Sequence, residues 1–182
     1  MGLLLILTLS YLAGSFPTSI IVARLVKNID IRKHGSGNAG MSNVVRVVGW
    51  KAGLVVGTVD IFKGWLAAGV VAAWPLGNLL ISDLGVVPIM AGLAAVLGHT
   101  FTIFGGFRGG KGVATLAGVL LTLYPVAIPL CAFVFSLVLM RWGYVSASSM
   151  SAAITLPIAV ALLPLLGLEK AEPSLIIFSL FV

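Results

Sequence analysis

The sequence predicts an all-α integral membrane protein, a seven-helix bundle forming one domain over residues 1–182. Three observations predict it. The 182 residues are 60% hydrophobic and 9% charged, with a mean hydropathy of +1.18, whereas soluble domains carry about 25% charge. Apolar runs of about 20 residues, long enough to cross a hydrocarbon core of roughly 30 Å, recur along the chain. The cations gather in short loops between those runs, so the net charge of +6 follows the positive-inside pattern and does not point to nucleic acid.

The elements follow in order. Residues 3–26 read as the first helix. Residues 1–14 lack a basic leader and a small-residue cleavage site, so they read as a retained helix and not a removed signal. A basic segment with Arg24, Lys27, Arg32, Lys33, Arg46 and Lys51 comes next. The second helix covers about 54–74, residues 75–83 form a turn, and the third helix covers about 84–104. The apolar stretch 113–139 contains Tyr124-Pro125 and Pro129, and is split into a fourth and a fifth helix because proline interrupts a helix interior. Arg141 marks another basic loop. The sixth helix covers about 146–166, bent by Pro157 and Pro164, and residues 174–182 begin a seventh that the chain stops inside.

This division puts Arg24, Lys27, Arg32, Lys33, Arg46, Lys51, Arg108, Lys111 and Arg141 on one side. Lys170 falls on the other, with Asp83, Glu169 and Glu172. The cationic side is then cytoplasmic and the N-terminus outside. A fourth helix of about a dozen residues is roughly 18 Å long, too short for a full crossing. The loop before it is therefore expected to dip into the membrane against a polar cavity.

That loop is Gly105-Gly106-Phe107-Arg108-Gly109-Gly110-Lys111-Gly112, with five glycines and two cations. Glycine lets backbone N–H groups approach a ligand closely, and Arg108 and Lys111 add positive charge, a combination suited to phosphate. It resembles a P-loop, but Gly112 stands where the metal-binding Ser or Thr belongs and no strand precedes it. Gly35-Ser36-Gly37-Asn38-Ala39-Gly40 likewise matches a dinucleotide fingerprint without the strand–turn–helix setting. Both segments retain the capacity to bind an anion. Ser36, Asn38 and Asn43 offer hydrogen bonds, and Arg46 a bidentate phosphate fork.

Other polar groups have two readings. Asp60 and Lys63 share one helix face, as a buried ion pair or as lining of a site. His99 ends the third helix, for packing and capping or for proton transfer. His34 reads as a solvated surface residue. Ser146, Ser148 and Ser149 are small packing residues or, since they start at the same cationic face as both loops, part of a site there. Trp50, Trp65, Trp74 and Trp142 fall near span ends, as interfacial anchors do. The lone Cys131 and two separated histidines argue against a disulfide and against a metal site.

Residues 35–46, Gly-Ser-Gly-Asn-Ala-Gly-Met-Ser-Asn-Val-Val-Arg, resemble the first signature of the bacterial acyl-phosphate:glycerol-3-phosphate acyltransferases, the PlsY family. Asp60-Ile61-Phe62-Lys63-Gly64 is similar to that family's helix 2 motif. Gly98-His99 together with residues 105–115 resembles its second signature, and Tyr144-Val145-Ser146-Ala147-Ser148-Ser149 its helix 5–6 junction. Met41-Ser42 stands for the usual Ala-Thr, Thr102 for a usual proline, and Arg108 for a usual lysine. The third signature, with its His and Asn, is expected after the seventh helix, beyond Val182.

The resemblance implies an inner-membrane enzyme with a cytoplasmic active site. It implies acyl transfer from acyl phosphate to the 1-position of sn-glycerol 3-phosphate, giving lysophosphatidic acid and phosphate for phospholipid synthesis. Neither a cofactor nor a metal is implied, and the donor links the chain functionally to the enzyme that makes acyl phosphate. Carried over by motif, Ser36, Arg46 and Lys111 are the catalytic candidates. Gly35, Gly37, Asn38, Asn43, Gly109, Gly110, Gly112 and Ser149 are the substrate-binding ones, with His99, Asp60 and Lys63 as further possibilities.

The competing class is a transporter or channel for a small phosphate ester. Against it, the polar groups cluster on one face, no acid or base traces a path outward, and no inverted repeat is visible.

Overall fold

The computed structural model describes residues 2–74, 85–168 and 173–181. The expected turn at 75–83 lies outside them, as do Glu169, Lys170 and Glu172, whose charges entered the orientation argument. The described residues form helices joined by loops, without a strand. Seven helical segments stand in the expected order, and four of them are long and apolar enough to cross a membrane: Gly2–Lys27, Trp50–Val71, Val86–Gly105 and Val145–Leu166.

The first segment is not one helix. Helix α1 (Gly2–Gly14) stops before Ser15-Phe16-Pro17, and α2 (Thr18–Lys27) resumes after it. The expectation of continuous helix over 3–26 overlooked Pro17, whose ring and missing N–H break the ladder. The interruption frees carbonyls inside the bundle, and side chains take them up. The Thr102 hydroxyl donates to the Ser15 carbonyl, and Lys63 Nζ donates to the Phe16 carbonyl at 3.2 Å.

The basic segment has structure of its own. A short 3-10 turn (Ile31–Lys33) leads through the first glycine-rich loop into α3 (Met41–Val47). Helix α4 (Trp50–Trp65) begins earlier than expected and ends in a π-helical stretch, Leu66–Val71. Helix α5 (Val86–Thr100) stops short of 104, and a 3-10 turn (Ile103–Gly105) opens the second glycine-rich loop.

The split of 113–139 is present, as α6 (Val113–Leu123) and α7 (Ala127–Trp142). Only Tyr124-Pro125 makes the break. Pro129 sits in the first turn of α7, where a missing N–H has no helical partner to lose. At 11 residues α6 is roughly 16 Å long, as short as expected. Helix α8 (Val145–Leu162) contains Pro157 and runs into a 3-10 stretch holding Pro164, and α9 (Pro173–Ser179) follows.

The helices pair most extensively as α1 with α5, α4 with α6, and α7 with α8. Glycine sets the first two pairings. A Cβ on Gly14 would overlap the Ala95 carbonyl, and one on Gly98 the Tyr11 carbonyl. Likewise a Cβ on Gly64 would overlap the Thr115 carbonyl, and one on Gly118 the Ile61 carbonyl. Small residues let backbones touch where lipid offers no hydrophobic drive between helices. The third pairing is filled by side chains: Tyr124, Ala127, Cys131, Leu156, Ala159 and Val160 share one apolar core with Phe178 of α9.

Candidate active site

The first glycine-rich loop is built on two polar anchors. Asp30 caps the 3-10 turn by accepting from Arg32 N at 3.1 Å, and its two oxygens receive Arg32 Nε at 3.0 Å and Nη2 at 2.9 Å. Hydrogen bonding from the Arg32 side chain, then from its backbone N–H, and the charges of Arg32 and Lys33 hold the Asp30 carboxyl down at about 2 against the cost of burial.

The second anchor is Asn43, 2% exposed. Its Oδ1 accepts from Ser36 N at 2.9 Å. Its Nδ2 donates to the carbonyls of Ile31, His34 and Asn38 at 3.2, 2.9 and 3.0 Å. Asn43 was expected to contact a ligand. Its amide is instead used at both ends inside the loop, so it shapes the loop. Gly35 at φ +60° and Gly37 at φ +73° provide the turns, and a Cβ on Gly35 would collide with the Asn43 side chain. Ser36 and Arg46 are left exposed, Ser36 on the loop and Arg46 in the last turn of α3.

The second loop folds back along the end of α5. Gly109 N donates to the Thr100 carbonyl at 2.9 Å, and Gly110 N to the His99 carbonyl at 3.2 Å. These two amides satisfy the open end of a helix and are not held out for an anion, contrary to the sequence expectation. What the loop presents lies further on. Gly112, at φ +78°, caps α6, and the amides of Val113, Ala114 and Thr115 in its first turn have no partner among the described residues. Lys111 is exposed beside them. An anion there would meet the N-terminal end of a helix and an ammonium group together.

The two loops meet. Arg32 Nη1 donates to the Gly105 carbonyl at 2.6 Å. A Cβ on Gly110 would stand 2.7 Å from the Ala39 carbonyl oxygen and would overlap the His99 ring, while one on Gly109 would overlap the His99 carbonyl. Gly109 and Gly110 are needed for close approach and not for donating to a ligand.

Beneath this junction lies a buried polar cluster. Asp60 Oδ1 is 2.8 Å from Lys63 Nζ, 3.7 Å from His99 Nδ1, and accepts from the Thr18 hydroxyl at 3.2 Å. Asp60, Lys63 and His99 are all buried. Together with Ala39, Gly109 and Gly110 they line a space of about 10 Å³, about enough for one water. No phosphorylated substrate fits there. The cluster lies under the contact between the two loops, whereas Ser36, Arg46 and Lys111 are exposed on the loops and on α3.

Ser149 does not line the buried polar cluster. It stands in the first turn of α8, which packs chiefly on α7 and meets α9 as well. The neighbouring Ser148 is buried and returns its hydroxyl to the Tyr144 carbonyl at 2.9 Å. His34 is exposed as expected, its Nδ1 3.0 Å from the Asp30 carbonyl oxygen. Sequence reasoning missed Thr18, the Phe16 carbonyl and the Asp30–Arg32 clamp. The signals were present: Pro17 announces freed carbonyls, and Asp-x-Arg before a glycine run announces a capped turn.

The family model for glycerol-3-phosphate acyltransferase matches residues 4–182. The chain belongs to that family. A glycerol-3-phosphate acyltransferase of Chlorobaculum parvum is 48% identical over 163 residues, covering 87% of this chain and 70% of the relative. One of Chlorobium phaeobacteroides strain BS1 is 50% identical, covering 87% and 69%. Among solved structures, PlsY, described as an integral membrane glycerol 3-phosphate acyltransferase, superposes in its glycerol 3-phosphate form with a TM-score of 0.77. That match has 32% identity and covers 98% of this chain and 84% of PlsY. The lysophosphatidic acid form gives 0.76, with 98% and 82% covered. The sequence resemblance to this family and the multi-pass helical membrane fold are thereby established.

Proposed function

We propose that this chain transfers an acyl group from acyl phosphate to the 1-hydroxyl of sn-glycerol 3-phosphate. Membership of the glycerol-3-phosphate acyltransferase family supports the acceptor and the reaction class. One observation supports the mechanism: the two glycine-rich loops are joined at Gly110 and Ala39, with Ser36 and Lys111 exposed on the loops themselves. Two phosphate-handling segments joined in this way suit a reaction between two phosphorylated substrates.

In the proposed step the acceptor's 1-oxygen attacks the acyl carbon and forms the ester bond. The carbon–oxygen bond to phosphate breaks, and the leaving phosphate takes the hydroxyl proton, giving lysophosphatidic acid and inorganic phosphate. The acyl phosphate is already activated, so the scheme uses no covalent enzyme intermediate, metal or cofactor. Arg46 and Lys111 offset the charge of the two phosphates, and proximity supplies much of the rate. Ser36 orients the attacking hydroxyl. Asn43 holds the Ser36 amide, and Asp60, Lys63 and His99 hold the floor. Gly35, Gly37, Asn38 and Gly112 complete the loop surfaces, while Ser149 sits at the periphery.

The cationic loops face the cytoplasm of a bacterial inner membrane in this reading, where a separate enzyme supplies the acyl phosphate. Phosphate release from acyl phosphate by the purified chain, dependent on added glycerol 3-phosphate, is the expected result. Uptake of labelled glycerol 3-phosphate into sealed vesicles without turnover would overturn it in favour of a transporter. An acyl group trapped on Ser36 would overturn direct transfer.

A further inference from the structure

A second concavity lies at the start of the same glycine-rich loop, lined by Gly105, Gly106 and Arg108, and the acyl-transfer reading makes no use of it. It is an open cleft of about 510 Å³, lined by Arg24, Asp30, Arg32, Phe104, Gly105 and Arg108 among others. Three guanidinium groups face one carboxylate. Asp30 is already paired with Arg32, and Arg32 also donates to the Gly105 carbonyl. The Arg24 and Arg108 side chains are exposed, and their guanidinium groups have no hydrogen-bond or ion-pair partner among the described residues. A cleft with this excess of positive charge recruits an anion, and the planar guanidinium fork fits phosphate oxygens.

Its position selects the anion's source. Arg24 lies in the last turn of the span Gly2–Lys27, and Gly105 is the last residue of the span Val86–Gly105. Two spans therefore end at the cleft, which puts it at the depth of lipid headgroups. The loop beside it carries exposed Phe101, Ile103, Phe104 and Phe107, and Phe107 is held at φ +60°. Apolar side chains projecting next to arginines are the pattern of a surface seated in the headgroup–acyl boundary. A cleft for a soluble anion has no use for that apolar rim.

We propose that this cleft binds the phosphate headgroup of an anionic phospholipid of the surrounding leaflet, gripped by Arg24 and Arg108, with Phe104 against its acyl region. Arg32 and Gly105 belong both to this cleft and to the loop junction, so a bound lipid braces the glycine-rich loop from outside. The proposal rests on the membrane fold and the cleft, and does not depend on the acyl-transfer reading.

The test uses the full chain in nanodiscs of phosphatidylcholine containing a minor fraction of phosphatidylglycerol with a photoactivatable group near its phosphate. Crosslinks are mapped by mass spectrometry. The expected result is labelling concentrated in residues 20–32 and 101–108, falling about fivefold for each arginine removed in R24Q and R108Q. Labelling of the wild type spread over all helix ends overturns the proposal, as does equal labelling by a phosphatidylcholine probe. Excess inorganic phosphate or glycerol 3-phosphate is added in a parallel arm. Loss of the labelling there shows that the cleft takes a soluble phosphate, which also overturns it. The wild-type arms decide the matter even if the variants fail to fold.

Discussion

The helices around the loop junction and those at the C-terminal end pack by different means. In α1, α4, α5 and α6, backbone meets backbone at Gly14, Gly64, Gly98 and Gly118. Three of these glycines adjoin, or lie near, a group of the polar floor. Gly98 precedes His99, Gly64 follows Lys63, and Gly14 leads into the break that bares the Ser15 and Phe16 carbonyls. In α7, α8 and α9, apolar side chains fill the core, and the Tyr124 hydroxyl donates to the Leu175 carbonyl. Only 17% of the most apolar window of Val145–Leu166 is buried, against 44% for both Trp50–Val71 and Val86–Gly105. Backbone contact fixes helix spacing without a side chain free to rearrange. The half that must hold two loops and a buried ion pair in register uses it, and the half that faces mainly lipid does not.

The largest effect should come from the exposed cations of the first half. R46A and K111A are each expected to lower kcat/KM for acyl transfer by about 10²–10³-fold, the range for losing one group that stabilises transition-state charge. Both side chains are exposed, so thermal stability in detergent should stay within about 0.5 kcal/mol. R141A, on α7, is the matched control and should keep nearly full activity. Equal losses at all three positions would mean that net charge matters and the junction does not, and the contrast between the halves would fail.

Packing provides the next test. G118A adds one methyl against the Ile61 carbonyl, which belongs to a helix backbone and cannot swing aside. A cost of about 1–3 kcal/mol in a detergent-unfolding titration is expected. A161V adds two carbons on α8, where the side chain is exposed, and should change stability by less than about 0.5 kcal/mol. Similar costs for the two would show that the glycine contacts carry no special constraint.

Much of this division was legible in the sequence. Apolar run lengths gave the seven segments, Tyr124-Pro125 gave the break between α6 and α7, and the glycine-rich motifs gave both loops. What was not legible depends on contacts distant in sequence. Gly109 and Gly110 look like anion donors until the end of α5 is seen to take their amides. Asn43 looks like a ligand contact until three carbonyls from residues 31–38 are found around its Nδ2. Composition reports what a side chain is able to bond, and only the folded chain shows which partners reach it first.

Asn43 sharpens the comparison within the first half, since it supports a loop and not a helix pair. N43A removes one acceptor and two donors from the loop, and solvent can reach part of what it leaves unpaired. A global cost of about 1 kcal/mol is expected. The loss of activity should be larger than that stability change implies, because Ser36 loses the partner of its amide. Circular dichroism melts paired with KM and kcat check this. An N43A enzyme with unchanged kinetics would remove Asn43 from the positioning role.

The smallest effect concerns acid. The Asp30 carboxyl is held at about 2 in the folded chain, below its ordinary value of 3.8, chiefly by its hydrogen bonds from Arg32. A depressed carboxyl stabilises the fold above the unfolded value and stops doing so as the folded form is protonated. The clamp therefore contributes fully above about pH 5, and its contribution is lost progressively as pH falls from about 4 to about 2. The clamp also joins the two loops through Arg32 and Gly105, so opening should be local. Peptic cleavage between residues 28 and 40 should rise over that window, while α7 and α8, which hold no carboxylate among their described residues, stay resistant. D30N abolishes the titrating group and should flatten the profile. Cleavage that rises equally in D30N, or equally in α8, would assign the acid sensitivity to the bundle as a whole and not to the clamp.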